Sequence, residues 1–317
     1  MCKARVAAYG YPCEEYQVTT EDGYILSLKR IPHAGNSTED KTPVLLFHGL
    51  MVDGFCWVLS TPKQSLGFIL ADAGFDVWIA NCRGTKSSRK HTSLTPEDPA
   101  FWDFSWDELA AYDLPAVLQF VYNQTGGKKV HYVGHSLGTL IILAAFSEHK
   151  LIDIVRSAVL LCPIAYLHRT KSRLILLAAR IFLAEEEYKV RGFNNIAFHR
   201  SHILIMSSCL LKLSDELIEA GLLELTMIGQ ESWGQKVRLW KREGEHEALQ
   251  SARAPAVQSL PLFLTHGGQD FLDDVPDTRH LLRTLVREHD SDDIEVLYMP
   301  DYAHGDFVMG YNAPQLI

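Results

Sequence analysis

The segment Val130-His131-Tyr132-Val133-Gly134-His135-Ser136-Leu137-Gly138 runs from an apolar, strand-like stretch into a G-x-S-x-G turn, and apolar residues at helical spacing follow it (Leu140, Leu143, Ala144, Phe146). A serine on a tight strand-to-helix turn is held in a strained backbone that lifts its hydroxyl above the sheet into solvent. Gly134 and Gly138 permit this, because a β-carbon at either position would strike the neighbouring strand or helix. The chemistry so proposed is acyl transfer, with Ser136 as nucleophile. It requires a base, an acid that orients the base, and two N–H groups for the oxyanion.

The acid belongs on the turn after a later strand, and Thr265-His266-Gly267-Gly268-Gln269-Asp270 supplies one with paired glycines for a sharp exit. Asp270 would accept the Nδ1–H of the base and stabilise its imidazolium. Asp273, Asp274 and Asp277 lie further into the following loop or helix, where a carboxylate has the separate use of complementing a helix N-terminus. The base belongs after the last strand. His304, in Pro300-Asp301-Tyr302-Ala303-His304-Gly305-Asp306-Phe307, is the one histidine beyond it, whereas His289 falls before it. The order Ser, Asp, His matches the chain order that this kind of turn requires. Leu137 N–H and Leu50 N–H, the latter in the loop His48-Gly49-Leu50, are the expected oxyanion donors. His48 is expected to brace that loop.

The elements that must position these residues alternate between short β-rich and helical runs, the mark of a mainly parallel sheet covered on both faces. Tyr16 to Thr20 and Tyr24 to Ile31 predict an opening antiparallel hairpin. Val44–Phe47, Asp76–Ala80, Val130–Val133, Val155–Leu161, Leu262–Thr265 and Ile294–Tyr298 predict buried strands, giving the eight-stranded sheet of an α/β-hydrolase fold. A helix over Trp106–Val121 precedes the nucleophile strand, and one over Val275–Val286 follows the seventh strand. The alternation lapses between about 165 and 259, where Ser172–Leu183 and Ser214–Leu225 predict amphipathic helices and Gln230–Gln250 is polar. This predicts a core in two parts, 1–164 and 260–317, with an inserted helical cap at 165–259 over the ligand-binding edge of the sheet.

Composition narrows the partners. A formal charge of −9 over 317 residues, without a Lys/Arg run, argues against nucleic acid. No stretch approaches the ~18 apolar residues of a membrane span, and the N-terminus lacks the apolar region of a secretory signal. Asn36-Ser37-Thr38 and Asn123-Gln124-Thr125 are glycosylation sequons, a pull toward the secretory route. The six cysteines form no C-x-x-C pair, which argues against a zinc or redox site. Cys162 reads as a buried core thiol, and Cys2 with Cys13 could pair in an oxidising compartment. Acyl transfer through such a serine needs no metal or organic cofactor.

With these residues assembled, the chain resembles the acid lipase family: gastric lipase, lysosomal acid lipase and the plant triacylglycerol lipases. The resemblance is carried by Gly10-Tyr11-Pro12-Cys13, Thr19-Thr20-Glu21-Asp22-Gly23-Tyr24-Ile25-Leu26, His48-Gly49-Leu50, Asn81-Cys82-Arg83-Gly84-Thr85, and Phe101 to Leu109. Gly134-His135-Ser136-Leu137-Gly138, Gly267-Gly268-Gln269-Asp270 and Tyr302 to Phe307 complete it. It implies a triad on Ser136, Asp270 and His304, oxyanion donors on Leu50 and Leu137, neutral-lipid esters as substrate at a lipid–water interface, and an extracellular, vacuolar or lysosomal location. Residues from about Ile228 to Val257 depart from the family's cap pattern. A sterol-ester or small-ester carboxylesterase with the same triad is the neighbouring alternative. A ligand-binding α/β-hydrolase without turnover is the alternative from another class. Oligomeric state is not legible.

Overall fold

The computed structural model describes residues 1–32, 41–50, 52–148, 151–166, 260–272, 275–288 and 293–316. The strands are β1 (Glu14–Thr19), β2 (Tyr24–Ile31), β3 (Pro43–Phe47), β4 (Asp76–Asn81), β5 (Lys90–His91), β6 (Val130–His135), β7 (Val155–Leu161), β8 (Leu262–Gly267) and β9 (Ile294–Met299). They form one sheet in the order β1-β2-β4-β3-β6-β7-β8-β9, with β5 beside β2. β1 pairs antiparallel with β2, and β2 antiparallel with β4 and β5. Every pair from β4 through β3 to β9 is parallel. The expected eight strands are therefore present, and the ninth is the two-residue β5. Its cationic stretch gives no strand pattern in sequence, and it exists through its pairing with Tyr24 and Ile25.

The central strands read as apolar runs because both faces are covered. β3 and β4 are buried along their whole length. Successive residues point to opposite faces, so Leu45, Phe47, Trp78 and Ala80 join one core, and Val44, Leu46, Val77 and Ile79 the other. The first core is closed by α3 (Leu114–Gln124), α4 (Leu137–Ser147) and α5 (Val275–Glu288), through residues such as Leu118, Ile141 and Leu281. The second is closed by α1 (Leu66–Asp72), through Phe68 and Ala71, and by Phe307 and Val308 of α6 (Asp306–Met309). A last short helix, α7, covers Ala313–Leu316.

The helix expected over Trp106–Val121 is α2 (Trp106–Glu108), a π-helical turn (Leu109–Asp113) and α3 in succession. Ser105 begins it with a capping box, its side chain accepting from Asp107 N–H while Glu108 reaches back to Ser105 N–H. The wider turn carries Asp113, whose carboxylate accepts from Arg83 Nε at 2.7 Å and from Arg83 N–H at 2.9 Å. Arg83 also meets Asp22 at 2.6 Å, and its guanidinium lies 3.9 Å from the centre of the Tyr24 ring. A buried cation with two carboxylates fixes the hairpin to the helix layer; removing one partner would leave an uncompensated charge.

Cys2 and Cys13 form a disulfide, with Cα atoms 5.5 Å apart. It ties the N-terminal helical turns to the start of β1, and loop closure of this size contributes about 3 kcal/mol. Residues 167–259, where the inserted cap is expected, lie outside the described residues, as do Asn36, Asp273, Asp274 and His289. β7 and β8 are nevertheless adjacent and parallel, so the two parts of the chain on either side form a single sheet.

Candidate active site

In a parallel sheet the loops that follow the strands all leave from one edge, the carboxyl edge, which is where ligands bind in open α/β sheets. Here β3 delivers His48-Gly49-Leu50, β6 delivers Ser136, β7 delivers Cys162, β8 delivers Asp270 and β9 delivers His304. These residues are scattered in sequence and reach one edge of the sheet because their strands are neighbours.

Ser136 has φ 53° and ψ −112°, a conformation that only glycine enters freely. The surroundings enforce it. A Cβ on Gly134 would lie 2.7 Å from the Gly138 carbonyl carbon, and a Cβ on Gly138 would lie 2.6 Å from the Phe47 oxygen. Tyr132 donates its hydroxyl to Gly138 O at 2.6 Å, Ser136 N–H donates to Leu161 O at 3.0 Å, and Thr139 Oγ1 donates to Ser136 O at 2.6 Å. One expectation is corrected: Ser136 is 5% exposed and does not stand in open solvent. The His48-Gly49-Leu50 loop lies against it, close enough that a Cβ on Gly49 would sit 3.1 Å from Ser136 Cβ.

Asp270 Oδ2 lies 2.7 Å from His304 Nδ1, and Asp270 Oδ1 accepts Leu272 N–H at 2.8 Å. The Asp270 side chain is fully buried and that of His304 is 21% exposed. Since a carboxylate only accepts, Nδ1 is the donor in this contact, and in the neutral ring the lone pair is then on Nε2. Among the described residues Nε2 is buried with no hydrogen-bond partner, so in this state it is not bonded to Ser136 Oγ. Of the competing carboxylates within the described residues, Asp277 lies on α5, and it is Asp270 that meets the histidine.

His48 is buried and braces its loop through both ring nitrogens. Cys82 N–H donates to Nε2 at 3.2 Å, so Nδ1 holds the proton and donates to Gly49 O at 2.8 Å. A trans peptide points its carbonyl and its N–H in opposite directions; fixing Gly49 O on His48 therefore turns Leu50 N–H away from that ring. Leu137 is the first residue of α4, whose leading N–H groups have no partner within the helix.

Sequence reasoning did not single out His135 or Cys162 at the site. Cys162 is buried as expected, but at φ 51° its thiol donates to His304 O at 3.4 Å. His135 Nε2 lies 2.9 Å from the same oxygen. Nothing in the local pattern signals either contact, since both partners are more than 140 positions away.

Burial, helped by the neighbouring His304 and His48 rings and opposed by the hydrogen bond to His304 O and by Asp270, pushes the His135 imidazole down to about 3. An unfolded histidine titrates near 6.5. Below that pH the unfolded chain takes up a proton that the folded chain refuses, so stability is lost as pH falls from about 6.5 toward about 3. One such group costs up to about 1.4 kcal/mol per pH unit. Urea titrations at pH 7.5, 5.5 and 4.5 should show this acid loss reduced by one group's share in His135→Gln. Equal pH dependence in the two proteins would refute the assignment.

Residues 42–289 match the alpha/beta hydrolase fold family, and residues 2–61 match the partial alpha/beta-hydrolase lipase region. Triacylglycerol lipase 2 of Arabidopsis thaliana is 38% identical, with 100% of this chain and 85% of that protein aligned. Lysosomal acid lipase/cholesteryl ester hydrolase of Homo sapiens is 33% identical over 98% of this chain and 86% of its own length. Among solved structures, the alpha/beta hydrolase GrgF from Penicillium sp. sh18 superposes with a TM-score of 0.60 at 13% identity, covering 95% of this chain and 93% of that one. The Pyrococcus furiosus esterase Pf2001 does so with a TM-score of 0.57 at 18% identity, covering 96% and 88%. At these identities the two structures speak to fold alone.

Proposed function

This chain belongs to the alpha/beta hydrolase family and to the lipases within it, and from that premise we propose that it cleaves carboxylic ester bonds of neutral lipids through Ser136, Asp270 and His304. The observation that carries the reading is the 2.7 Å contact of Asp270 with His304 Nδ1, which leaves an unpartnered Nε2 at the edge that also holds the strained Ser136. In this mechanism His304 Nε2 takes the Ser136 proton as Oγ attacks the ester carbonyl. Leu50 N–H and Leu137 N–H receive the developing oxyanion. His304 then protonates the leaving alcohol, and water activated by the same nitrogen releases the fatty acid.

Lipid esters are the favoured substrate class because the relatives named above are lipases, one of them also a cholesteryl ester hydrolase. Passage through the secretory pathway is part of the proposal. It draws on the Cys2–Cys13 disulfide, a bond of oxidising compartments, and on the exposed Asn123 in its sequon. No helix among the described residues is long and apolar enough to cross a membrane.

The test is hydrolysis of p-nitrophenyl esters from acetate to palmitate, with a fluorophosphonate probe to locate the nucleophile. Activity that rises with chain length, and an adduct on the Ser136 peptide, are the expected results. Activity confined to short esters would overturn the lipid assignment and keep the serine. Tight lipid binding without turnover or labelling would favour a ligand-binding protein.

Gly49→Ala probes the oxyanion loop. Its methyl would lie 2.8 Å from His135 Nδ1 and 3.1 Å from Ser136 Cβ, so the loop must move and carry Leu50 N–H with it. Losing one such donor typically costs about 3 kcal/mol, a fall in kcat of about 10²-fold. Kinetics and a thermal melt on the same sample check this: kcat near wild type in a folded variant would remove Leu50 from the mechanism.

A further inference from the structure

We infer that His135 and Cys162 are positioning residues for His304, holding its main-chain carbonyl with two side-chain hydrogen bonds so that nucleophile and base are registered directly against each other. The inference rests on the triad proposed above. His135 immediately precedes the nucleophile, and its Nε2 lies 2.9 Å from His304 O. Cys162 follows β7, the strand beside the nucleophile strand, and its thiol donates to the same oxygen at 3.4 Å. Each donor comes from a different element, and both act on the residue that is to move the proton.

The chemistry of the ring makes the contact directional. A carbonyl accepts only, so His135 carries its proton on Nε2 and a bare lone pair on Nδ1. That Nδ1 is buried with no partner, packed where a Cβ on Gly49 would come within 2.8 Å. A histidine kept only to fill the core would be better replaced by an apolar ring, since an unpaired buried nitrogen costs stability. His135 bears that cost and directs its one donor at the base. Cys162 shows the same pattern in its backbone: at φ 51° a non-glycine residue is strained, and the turn brings the thiol onto the carbonyl.

The remainder of the base loop is anchored separately. Gln269 N–H donates to Tyr302 O at 3.0 Å, and Ala303 N–H donates to Asp306 Oδ2 at 2.7 Å. These bonds fix the loop to the acid's turn and to α6, but neither reaches the nucleophile. The His135–His304 bond joins the residue before the nucleophile directly to the base, with the two rings 5.0 Å apart. Displacement of about 1 Å in such a geometry is enough to cost about 10²-fold in rate.

The experiment compares four variants on p-nitrophenyl butyrate, with thermal melts throughout and Ser136→Ala as control. His135→Phe keeps the ring volume and removes the donor. His135→Gln places an amide N–H near the position of Nε2, whereas His135→Asn reaches only as far as Nδ1. Cys162→Ala removes the second donor. We expect His135→Phe to lower kcat about thirty-fold with KM within twofold, His135→Gln to recover to within about threefold of wild type, and Cys162→Ala to lose about threefold. If His135→Phe fails to fold, His135→Asn against His135→Gln makes the same decision, with Asn impaired and Gln active. The inference is overturned if a folded His135→Phe or His135→Asn turns over within threefold of wild type, or if Gln is as impaired as they are. If Ser136→Ala itself stays active, the triad has failed; if Ser136→Ala is dead and His135→Phe is unaffected, only the clamp has.

Discussion

Ser136→Ala is expected to lower kcat by roughly four to six orders of magnitude while leaving the fold intact. The activity loss follows from removing the atom that becomes acylated; what survives is the modest catalysis of the oxyanion donors and binding, about 10³-fold over water. The fold should survive because Ser136 is tied to its neighbours through its main chain. Its N–H bonds Leu161 O and its carbonyl accepts from Thr139. The backbone at φ 53° adds an internal control. Alanine bears the same strain as serine there, whereas glycine does not, so Ser136→Gly should be at least as stable as Ser136→Ala although glycine ordinarily costs about 0.5–1 kcal/mol. Equal inactivity with that stability order would support both the nucleophile and the strained elbow. Substantial turnover by either variant would remove Ser136 from the mechanism.

Asp270→Asn is the second large effect, an expected fall of about 10⁴-fold in kcat. The orientation of the new amide is set by its surroundings. Leu272 N–H points at the Oδ1 position from 2.8 Å and needs an acceptor, so the asparagine oxygen turns toward it. The NH2 group then faces His304 Nδ1 across the 2.7 Å gap that the carboxylate spanned. An N–H directed at Nδ1 makes that nitrogen the acceptor and moves the ring proton to Nε2, where it blocks acceptance of the serine proton. Because the substitution conserves shape and keeps an acceptor for Leu272 N–H, the melting temperature should change little. Kinetics and fluorophosphonate labelling rates should fall together, and a variant within tenfold of wild type would sink the assignment of Asp270 as orienting acid.

Much of this molecule is local pattern. The short apolar runs at 44–47, 76–80, 130–133 and 155–161 specify buried strands, and the observed sheet contains each of them. Gly134 and Gly138 around Ser136 specify a turn in which helix and strand approach too closely for any side chain, and the contacts show that approach. Asp270 and His304 were singled out by their places after β8 and β9, because a parallel sheet brings the ends of its strands to one edge. Their contact, across 34 positions, follows from that topology.

What no local pattern encodes is which way a side chain turns once its neighbours are in place. The burial of Ser136 under the Gly49 loop, the two-residue strand β5, the π-helical turn that aims Asp113 at Arg83, and the convergence of His135 and Cys162 on His304 O are all of this kind. Periodicity and turn chemistry are written in adjacent residues, so the sequence by itself determined the sheet, the elbow and the order of Ser136, Asp270 and His304 along the strand ends. Hydrogen bonds between residues 142 and 169 positions apart exist only after the strands have packed, and there the tertiary structure alone decided.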